Sequence, residues 1–198
     1  SAELYIETYG NALIRGLTRA SRGFFEAPPD GFAGAPLLSP RGVLHIARRD
    51  QMAALRALAD VQGDAVTALA REAVLEKVPR LRSGYVAAGL LEAAAMDIDV
   101  DALHQGLLRG ARARGADVRT GCEVTAILRH GRAWRVTCAS GETFEAAVLI
   151  NAAGAWADHV AALAGARPVG LQPMRRTAVI VDAPADIDLR GGPAVIDV

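Results

Sequence analysis

Apolar residues recur every three to four positions in four stretches of the chain, which is the spacing of helices with one buried face. The pattern predicts helices over residues 2–25, 50–62, 71–77 and 100–114. Gly63 follows the second helix, and Pro79 follows the third. The fourth helix lies between Asp99, a favourable N-cap, and Gly115, which suits a C-terminal turn, so both of its ends carry a signal.

The segments between the helices favour β-strands, because β-branched and aliphatic residues cluster or alternate in short runs. Single strands are predicted over residues 42–47, 85–94, 177–182 and 194–198. Residues 124–129 and 134–138 alternate between apolar and polar positions on either side of Gly131, which predicts an antiparallel hairpin. Ala146–Ile150 is apolar without alternation, which predicts a strand covered on both faces, as in a parallel sheet.

A turn of small residues follows that last strand. Asn151 is succeeded by the letters A-A-G-A before a helix over Trp156–Leu163. Open α/β sheets bind ligands at the carboxyl ends of their strands, and small residues at a helix N-terminus let backbone N–H groups approach a phosphate. The turn is therefore the leading candidate for ligand contact. The alternative is that alanine and glycine only permit a tight corner between strand and helix.

This region resembles the central part of the flavoproteins of the D-amino-acid oxidase and glycine oxidase family, the FAD-dependent oxidoreductases of the DAO type. The resemblance rests on the strand step Glu123–Ile127 and, more specifically, on the N-A-A-G-A-W pattern of Asn151–Trp156. Weaker landmarks at Ser1–Glu3 and Leu38–Gly42 extend it over most of the chain. It implies an α/β (α+β) fold, in which part of a Rossmann-like FAD-binding layer is joined to an antiparallel-sheet substrate domain.

The resemblance also implies an assignment of the chain to two domains. Residues 1–25 and 96–165 would belong to the FAD-binding domain, and residues 26–95 and 170–198 to the substrate domain. The residues that it places near FAD are Val124 on the adenine side, Ala152, Ala153, Gly154 and Trp156 in the turn, and Ser1 and Ala2 at the start of the chain. No catalytic acid or base can be named from the sequence.

Several other polar residues have both a chemical and a structural interpretation. His45 could point into a substrate cavity, but a lone strand histidine is more often structural. Asp97 and Asp99 could form an acid–base or metal-binding pair, although capping of the next helix accounts for Asp99 more simply. Arg175 or Arg176 could bind a substrate carboxylate through two hydrogen bonds, although the resemblance favours a surface position for both.

Composition narrows the class of protein. The chain has 22 Lys and Arg and 22 Asp and Glu, so nothing indicates a nucleic-acid partner. Its four histidines are far apart, which gives no support for a metal site. No apolar run approaches the roughly 20 residues that cross a bilayer, and no signal-peptide pattern is present. Cys122 and Cys138 lack C-x-x-C spacing, which predicts reduced thiols and a cytoplasmic location.

The chain contains no strand followed by G-x-G-x-x-G, the motif with which flavoproteins of this kind reach the cofactor pyrophosphate. It also lacks an initial methionine, and Lys77 is its only lysine among many arginines, which we interpret as genome composition. We therefore expect the middle section of a longer bacterial protein. The isolated chain is expected to be inactive and to retain little FAD.

Three functions remain open at this point. The resemblance favours a fragment of a FAD-dependent enzyme that oxidises the CH–NH group of an amino acid or secondary amine to an imine. An enzyme on the same fold could act instead on a carbon that bears a hydroxyl, such as that of glycerol 3-phosphate or a 2-hydroxy acid. The third possibility is a binding domain without redox chemistry, for which the missing glycine motif is the main argument.

Overall fold

The computed structural model describes residues 3–175, 177–179, 181–182 and 191–198. Within these residues the chain divides into two compact units. The first contains the described residues up to 116 together with 191–198, and the second contains those between 117 and 182. These boundaries differ from those of the predicted FAD-binding and substrate-domain portions. That the first portion binds FAD and the second binds the substrate stays a prediction.

The described part of the first unit combines two sheets with helices. The strands are β1 (Glu3–Tyr5), β2 (Leu38–Pro40), β3 (Val43–Ala47), β4 (Thr67–Ala70), β5 (Ala88–Glu92), β6 (Met96–Ile98) and, late in the chain, β10 (Ala194–Asp197). The helices are α1 (Ala12–Glu26), α2 (Met52–Gln62), α3 (Arg71–Lys77) and α4 (Val100–Ala113). β6 pairs antiparallel with β1 and β2, while the larger sheet has the order β10-β3-β5-β4 with only β10 and β3 parallel.

The core of the first unit lies on both faces of β3, because every residue of this central strand is buried. Leu44 belongs to a cluster with Val74 of α3 on one face, and Ala47 packs with Leu55 of α2 on the other. Gly89 of β5 permits close packing, since an added Cβ would lie 2.9 Å from both the His45 carbonyl oxygen and Val74 Cγ2. Helices on both faces of one sheet thus bury its central strand.

Helix α4 confirms the predicted end signals. The side chain of Asp99 accepts a hydrogen bond from the N–H of Ala102 at 2.9 Å, as an N-cap does. Gly115 has a φ of +84°, and the N–H of Ala116 donates to the carbonyl of Ala111 at 3.1 Å. The helices predicted over residues 50–62 and 71–77 are also confirmed, the former being preceded by a 3-10 turn over Arg49–Gln51.

The helix predicted over residues 2–25 is wrong at its beginning. Residues 3–5 form β1, whose partner β6 lies more than ninety residues away in the sequence. Asn11 caps a helix that starts at Ala12, because its side chain accepts a hydrogen bond from the N–H of Ile14 at 3.0 Å. Tyr5 is buried, and its hydroxyl donates to the carbonyl of Thr18 at 2.9 Å, which ties β1 to α1.

The described part of the second unit has one three-stranded antiparallel sheet and one short helix. Strands β7 (Val124–His130), β8 (Ala133–Cys138) and β9 (Thr143–Ala146) follow each other in the sheet, and α5 (Ala157–Leu163) packs against β7. The predicted hairpin turn is confirmed, with a φ of +62° at Gly131. A register shift between Val124 and Ala126 buries Ile127 and leaves 65% of Leu128 exposed.

The strand predicted over Ala146–Ile150 is wrong. Ala146 is the last residue of β9, and residues 147–150 lie in no strand. The exposed fractions are 73% for Val148 and 83% for Ile150. A doubly covered strand needs paired neighbours, and within the described residues none pairs with residues 147–150. In the strand predicted over 177–182, residues 177–179 and 181–182 likewise form no strand, and residue 180 lies outside the described part of the chain.

The remaining predicted strands are found as β3, β5 and β10. The combination of helices with antiparallel and mixed sheets confirms the α/β (α+β) fold class. Among the described helices, none is long and apolar enough to cross a membrane.

Candidate functional site

The side chain of Asn151 holds the turn of small residues in place. Its Oδ1 accepts a hydrogen bond from the N–H of Ala153 at 3.2 Å, and its Nδ2 donates to the carbonyl of Ala157 at 2.8 Å. Between these two contacts the chain forms a 3-10 turn over Gly154–Trp156 and then enters α5. The asparagine therefore closes the corner at both ends, which explains its position ahead of the alanines.

The turn is open to solvent. Ala152 and Gly154 are exposed, Ala153 is half-buried, and 71% of Trp156 is exposed. Gly154 has a φ of +56°, and an added Cβ there would meet no atom within 4 Å. Glycine is thus required by the left-handed backbone and not by lack of space. Both interpretations from the sequence fit this geometry, since the corner is tight and its backbone is also accessible to a ligand.

Asp158 fixes the segment after α5 to the beginning of that helix. Its Oδ1 accepts the N–H of Val169, and its Oδ2 accepts those of Gly170 and Leu171, each at 2.9 Å. The hydrogen bond from Val169 and those from Leu171 and Gly170 lower the pKa of the carboxyl, against a smaller opposing effect of desolvation. The carboxylate therefore holds the loop of residues 169–171 beside the helix that follows the turn. The N–H groups of this loop are already hydrogen-bonded to Asp158.

The residues predicted to contact the cofactor are only partly brought together. Val124 is half-buried on β7, directly opposite Cys138, and α5 packs against the same strand. Val124 and the turn residues thus share the second unit. Ser1 and Ala2 lie outside the described residues. The role of all these residues in binding FAD stays a prediction.

A buried polar network in the first unit was not predicted from the sequence. Thr8 donates from its hydroxyl to Glu92 Oε2 at 2.6 Å, and Gln62 Nε2 donates to the same hydroxyl at 3.2 Å. Glu92 is only 2% exposed, and burial raises the pKa of its carboxyl, with the nearby charge of Glu7 adding to the effect. The position of Glu92 within an apolar run was the available sequence signal for a buried carboxyl. Its hydrogen-bond partner Thr8 lies 84 residues away, so no local pattern indicates the pair.

The other polar candidates have structural positions. His45 is buried on β3, its Nε2 has no hydrogen-bond partner among the described residues, and burial lowers the pKa of its ring. Asp99 is the N-cap of α4, as the simpler interpretation held, and Asp97 lies 3.8 Å from Arg41. Arg175 is exposed, and Arg176 lies outside the described residues. In the described part of the chain, no three His, Cys, Asp or Glu side chains converge as metal ligands would.

The first unit also has an open cavity of about 860 Å³ at the start of α2. Arg48, Arg71 and Tyr85 are among the residues that line it. Arg48 is engaged by Asp50 at 3.2 Å and by Asp197 at 3.4 Å, and the Tyr85 hydroxyl donates to the same Asp197. The carboxylates of Asp50 and Asp197 balance the positive charge of Arg48. An acidic ligand would therefore have to displace these carboxylates. The geometry gives this cavity no defined chemistry.

The family of the chain follows from comparison with a family model. The model of the FAD dependent oxidoreductases, DAO, matches residues 5–197, which is nearly the entire chain. The chain belongs to the DAO family of FAD-dependent oxidoreductases. The family that the sequence resembles is thereby confirmed.

Solved structures of DAO-family fold share the architecture of this chain. Glycine oxidase from Geobacillus kaustophilus has 21% identity and a TM-score of 0.70, with 82% of this chain and 46% of that chain covered. L-proline dehydrogenase from P. horikoshii has 18% identity and a TM-score of 0.69, with 97% and 52% covered. L-alpha-glycerophosphate oxidase from Mycoplasma pneumoniae has 20% identity and a TM-score of 0.67, with 83% and 46% covered. The chain spans about half the length of these solved relatives.

Proposed function

We propose that the whole protein oxidises the CH–NH group of a small amino acid or secondary amine to an imine, which water then hydrolyses. The observation that carries the proposal is the family match over residues 5–197. Among the solved relatives, glycine oxidase, iminodiacetate oxidase and L-proline dehydrogenase are named for substrates that contain such a group. The substrate class of this protein is inferred from theirs.

The exposed turn supports FAD as the cofactor. Small side chains and an accessible backbone fit a ligand that approaches main-chain N–H groups closely. The proposed cofactor contacts are Val124, Ala152, Ala153, Gly154 and Trp156, and in addition Ser1 and Ala2. FAD, when bound, supplies the acceptor for the hydride, and the protein contributes binding, orientation and electrostatics. In this proposal Asn151 and Asp158 keep the turn and its flanking loop in the geometry that the cofactor requires.

Oxidation of a carbon that bears a hydroxyl is the second candidate. The observation that favours it is the similarity to L-alpha-glycerophosphate oxidase, whose TM-score of 0.67 is close to that of glycine oxidase at 0.70. One fold supports both reactions, so fold similarity does not separate them.

Anaerobic mixing of the full-length protein with candidate substrates separates the two candidates. We expect amino acids or secondary amines to bleach the flavin absorbance, while glycerol 3-phosphate and 2-hydroxy acids leave it unchanged. Bleaching by the hydroxyl compounds alone would select the second candidate. A full-length protein that holds no flavin after reconstitution would contradict both.

The isolated chain is proposed to be inactive and to bind FAD weakly, because it contains no G-x-G-x-x-G motif to complete the pyrophosphate site. Titration of the chain into FAD with detection of flavin fluorescence tests this, and stoichiometric quenching would contradict it. We also propose a bacterial, cytoplasmic protein on the basis of composition and two free thiols. Recovery of the protein in the periplasmic fraction of its host would contradict that location.

A further inference from the structure

The two cysteines of the chain lie together at the open end of the β7–β8 hairpin. Cys138 ends β8 and pairs with Val124, and the N–H of Ala139 donates to the carbonyl of Glu123 at 2.8 Å. Cys122 lies two residues before Val124, which places it diagonally across the ladder from Cys138. Diagonal neighbours of an antiparallel pair lie about 7–8 Å apart, slightly more than the roughly 4.4–6.8 Å between the Cα atoms of a disulfide. Cys122 precedes β7 and belongs to no strand, so a small backbone shift there would bring its sulfur to Cys138.

The side-chain contacts agree with this register. Both cysteines contact Glu142, whose carbonyl oxygen accepts a hydrogen bond from the N–H of Cys138 at 2.9 Å. Besides burial, the hydrogen bond and charge of Cys138 also help to raise the pKa of Cys122. Cys138 is buried, with 3% of its surface exposed, whereas Cys122 is half-buried. Cys122 Sγ also lies 3.7 Å from Glu142 Oε2, which accepts a hydrogen bond from the Ser140 hydroxyl at 3.2 Å. The Cys122 thiol is therefore partly accessible, and the Cys138 thiol is buried.

Two sulfurs and one carboxylate do not make a metal site. A structural zinc site is closed by four protein ligands, and within the described residues no three His, Cys, Asp or Glu side chains are arranged to hold a metal. An accessible thiol next to a second thiol is instead the arrangement that supports thiol–disulfide exchange.

We propose that Cys122 and Cys138 are a dithiol modification site that a low-molecular-weight disulfide converts into an intramolecular disulfide. The Cys122 thiolate attacks one sulfur of the small disulfide, whose S–S bond breaks and releases one thiol after protonation. The Cys138 sulfur then attacks Cys122 Sγ in the mixed disulfide, releasing the second thiol. Two protein S–H bonds and one S–S bond are thus exchanged for one protein S–S bond and two S–H bonds, and the small disulfide is reduced.

The surroundings of Cys122 set the rate of the first step. Burial, the hydrogen bond and charge of Cys138, and then Glu142 raise the pKa of Cys122. The thiolate is the attacking species, so the reaction is slow at neutral pH and accelerates about tenfold per pH unit while the pH is below that pKa. The disulfide would close the open end of the hairpin that contains Val124. The proposal does not depend on whether Val124 contacts FAD.

The test uses the chain as it is, incubated with oxidised glutathione, then quenched with acid and blocked with N-ethylmaleimide after unfolding. We expect intact-mass analysis to show loss of both alkylation sites with no glutathione attached, and peptide mapping to show Cys122 joined to Cys138. The variant Cys138→Ser should accumulate one glutathione on Cys122, and the variant Cys122→Ser should react much more slowly.

Two results would overturn the proposal. One is a wild-type chain that remains doubly alkylated after prolonged incubation at alkaline pH. The other is a wild-type chain that carries a persistent mixed disulfide with glutathione, since that would show that the Cys138 sulfur cannot reach Cys122. Both readouts come from the wild-type protein, so they hold even if a variant fails to fold. Neither depends on the proposed enzymatic activity.

Discussion

Two glycines of α4 should respond in opposite directions to the same substitution. An added Cβ at Gly106 would lie 2.5 Å from Phe32 Cε1 and 2.7 Å from the Phe32 carbonyl oxygen, closer than such atoms approach. At Gly110 the nearest atom would be Arg114 Nη1, at 3.3 Å, which is the far end of a flexible side chain. The helix backbone gains about 1 kcal/mol from alanine at either position.

The difference between the two variants comes from packing. Overpacking a closely packed contact costs roughly 1–3 kcal/mol, and part of the contact with Phe32 is backbone, which cannot rotate away. Gly106→Ala should therefore destabilise the chain by about 0–2 kcal/mol, after the helical gain of about 1 kcal/mol is subtracted. Gly110→Ala should stabilise it by about 0.5–1 kcal/mol.

Urea denaturation of wild type and both variants, followed by far-UV circular dichroism, measures these differences from the transition midpoints. We expect the midpoint of Gly106→Ala to lie below that of wild type, and the midpoint of Gly110→Ala to lie above it. An equal stabilisation by both substitutions would refute the reasoning, because it would show that α4 does not pack closely on Phe32 in solution.

Two further predictions concern buried or hydrogen-bonded carboxyls. The folded pKa of Glu92 is raised, so the native state binds more protons than the unfolded state above about pH 4.5, and stability falls as the pH rises through the folded pKa. Glu92→Gln should remove this decline in a series of urea midpoints against pH, and an unchanged slope would count against a buried carboxyl. The folded pKa of Asp158 is lowered, so its contribution is present above the unfolded pKa and is lost as the pH falls through the folded value. Asp158→Asn should speed hydrogen exchange at the amides of residues 169–171, and unchanged exchange there would show that the carboxylate does not hold the loop.

Structure fixed by neighbouring residues was predictable from the sequence. Both ends of α4 depend on bonds made within a few residues, by the side chain of Asp99 and by the left-handed backbone at Gly115. The β7–β8 hairpin depends in the same way on Gly131. The corner at Asn151 also belongs to this group, since its side chain bonds residues 153 and 157.

Features that depend on distant partners were not predictable. β1 continues a helical apolar pattern, but pairing with β6, more than ninety residues away, makes it a strand. Ala146–Ile150 has the composition of a buried strand, yet among the described residues no strand pairs with residues 147–150, and Val148 and Ile150 stay exposed. The contact between Thr8 and Glu92 likewise joins residues 84 positions apart, so no local pattern indicates it. The periodicity of a segment indicates its own preference for helix or strand. It does not indicate the distant segments whose pairing decides which of the two forms.

The most direct test of a cofactor-binding turn is the FAD affinity of the full-length protein with a carboxylate placed in that turn. Ala152 is exposed, so Ala152→Glu should fold normally and repel the cofactor pyrophosphate. Ala139→Glu adds the same charge at an exposed position of the β8–β9 turn and serves as the control. We predict that Ala152→Glu raises the dissociation constant for FAD by at least about tenfold, or roughly 1.4 kcal/mol, while Ala139→Glu leaves it unchanged. Equal FAD affinity in Ala152→Glu and wild type would contradict the account.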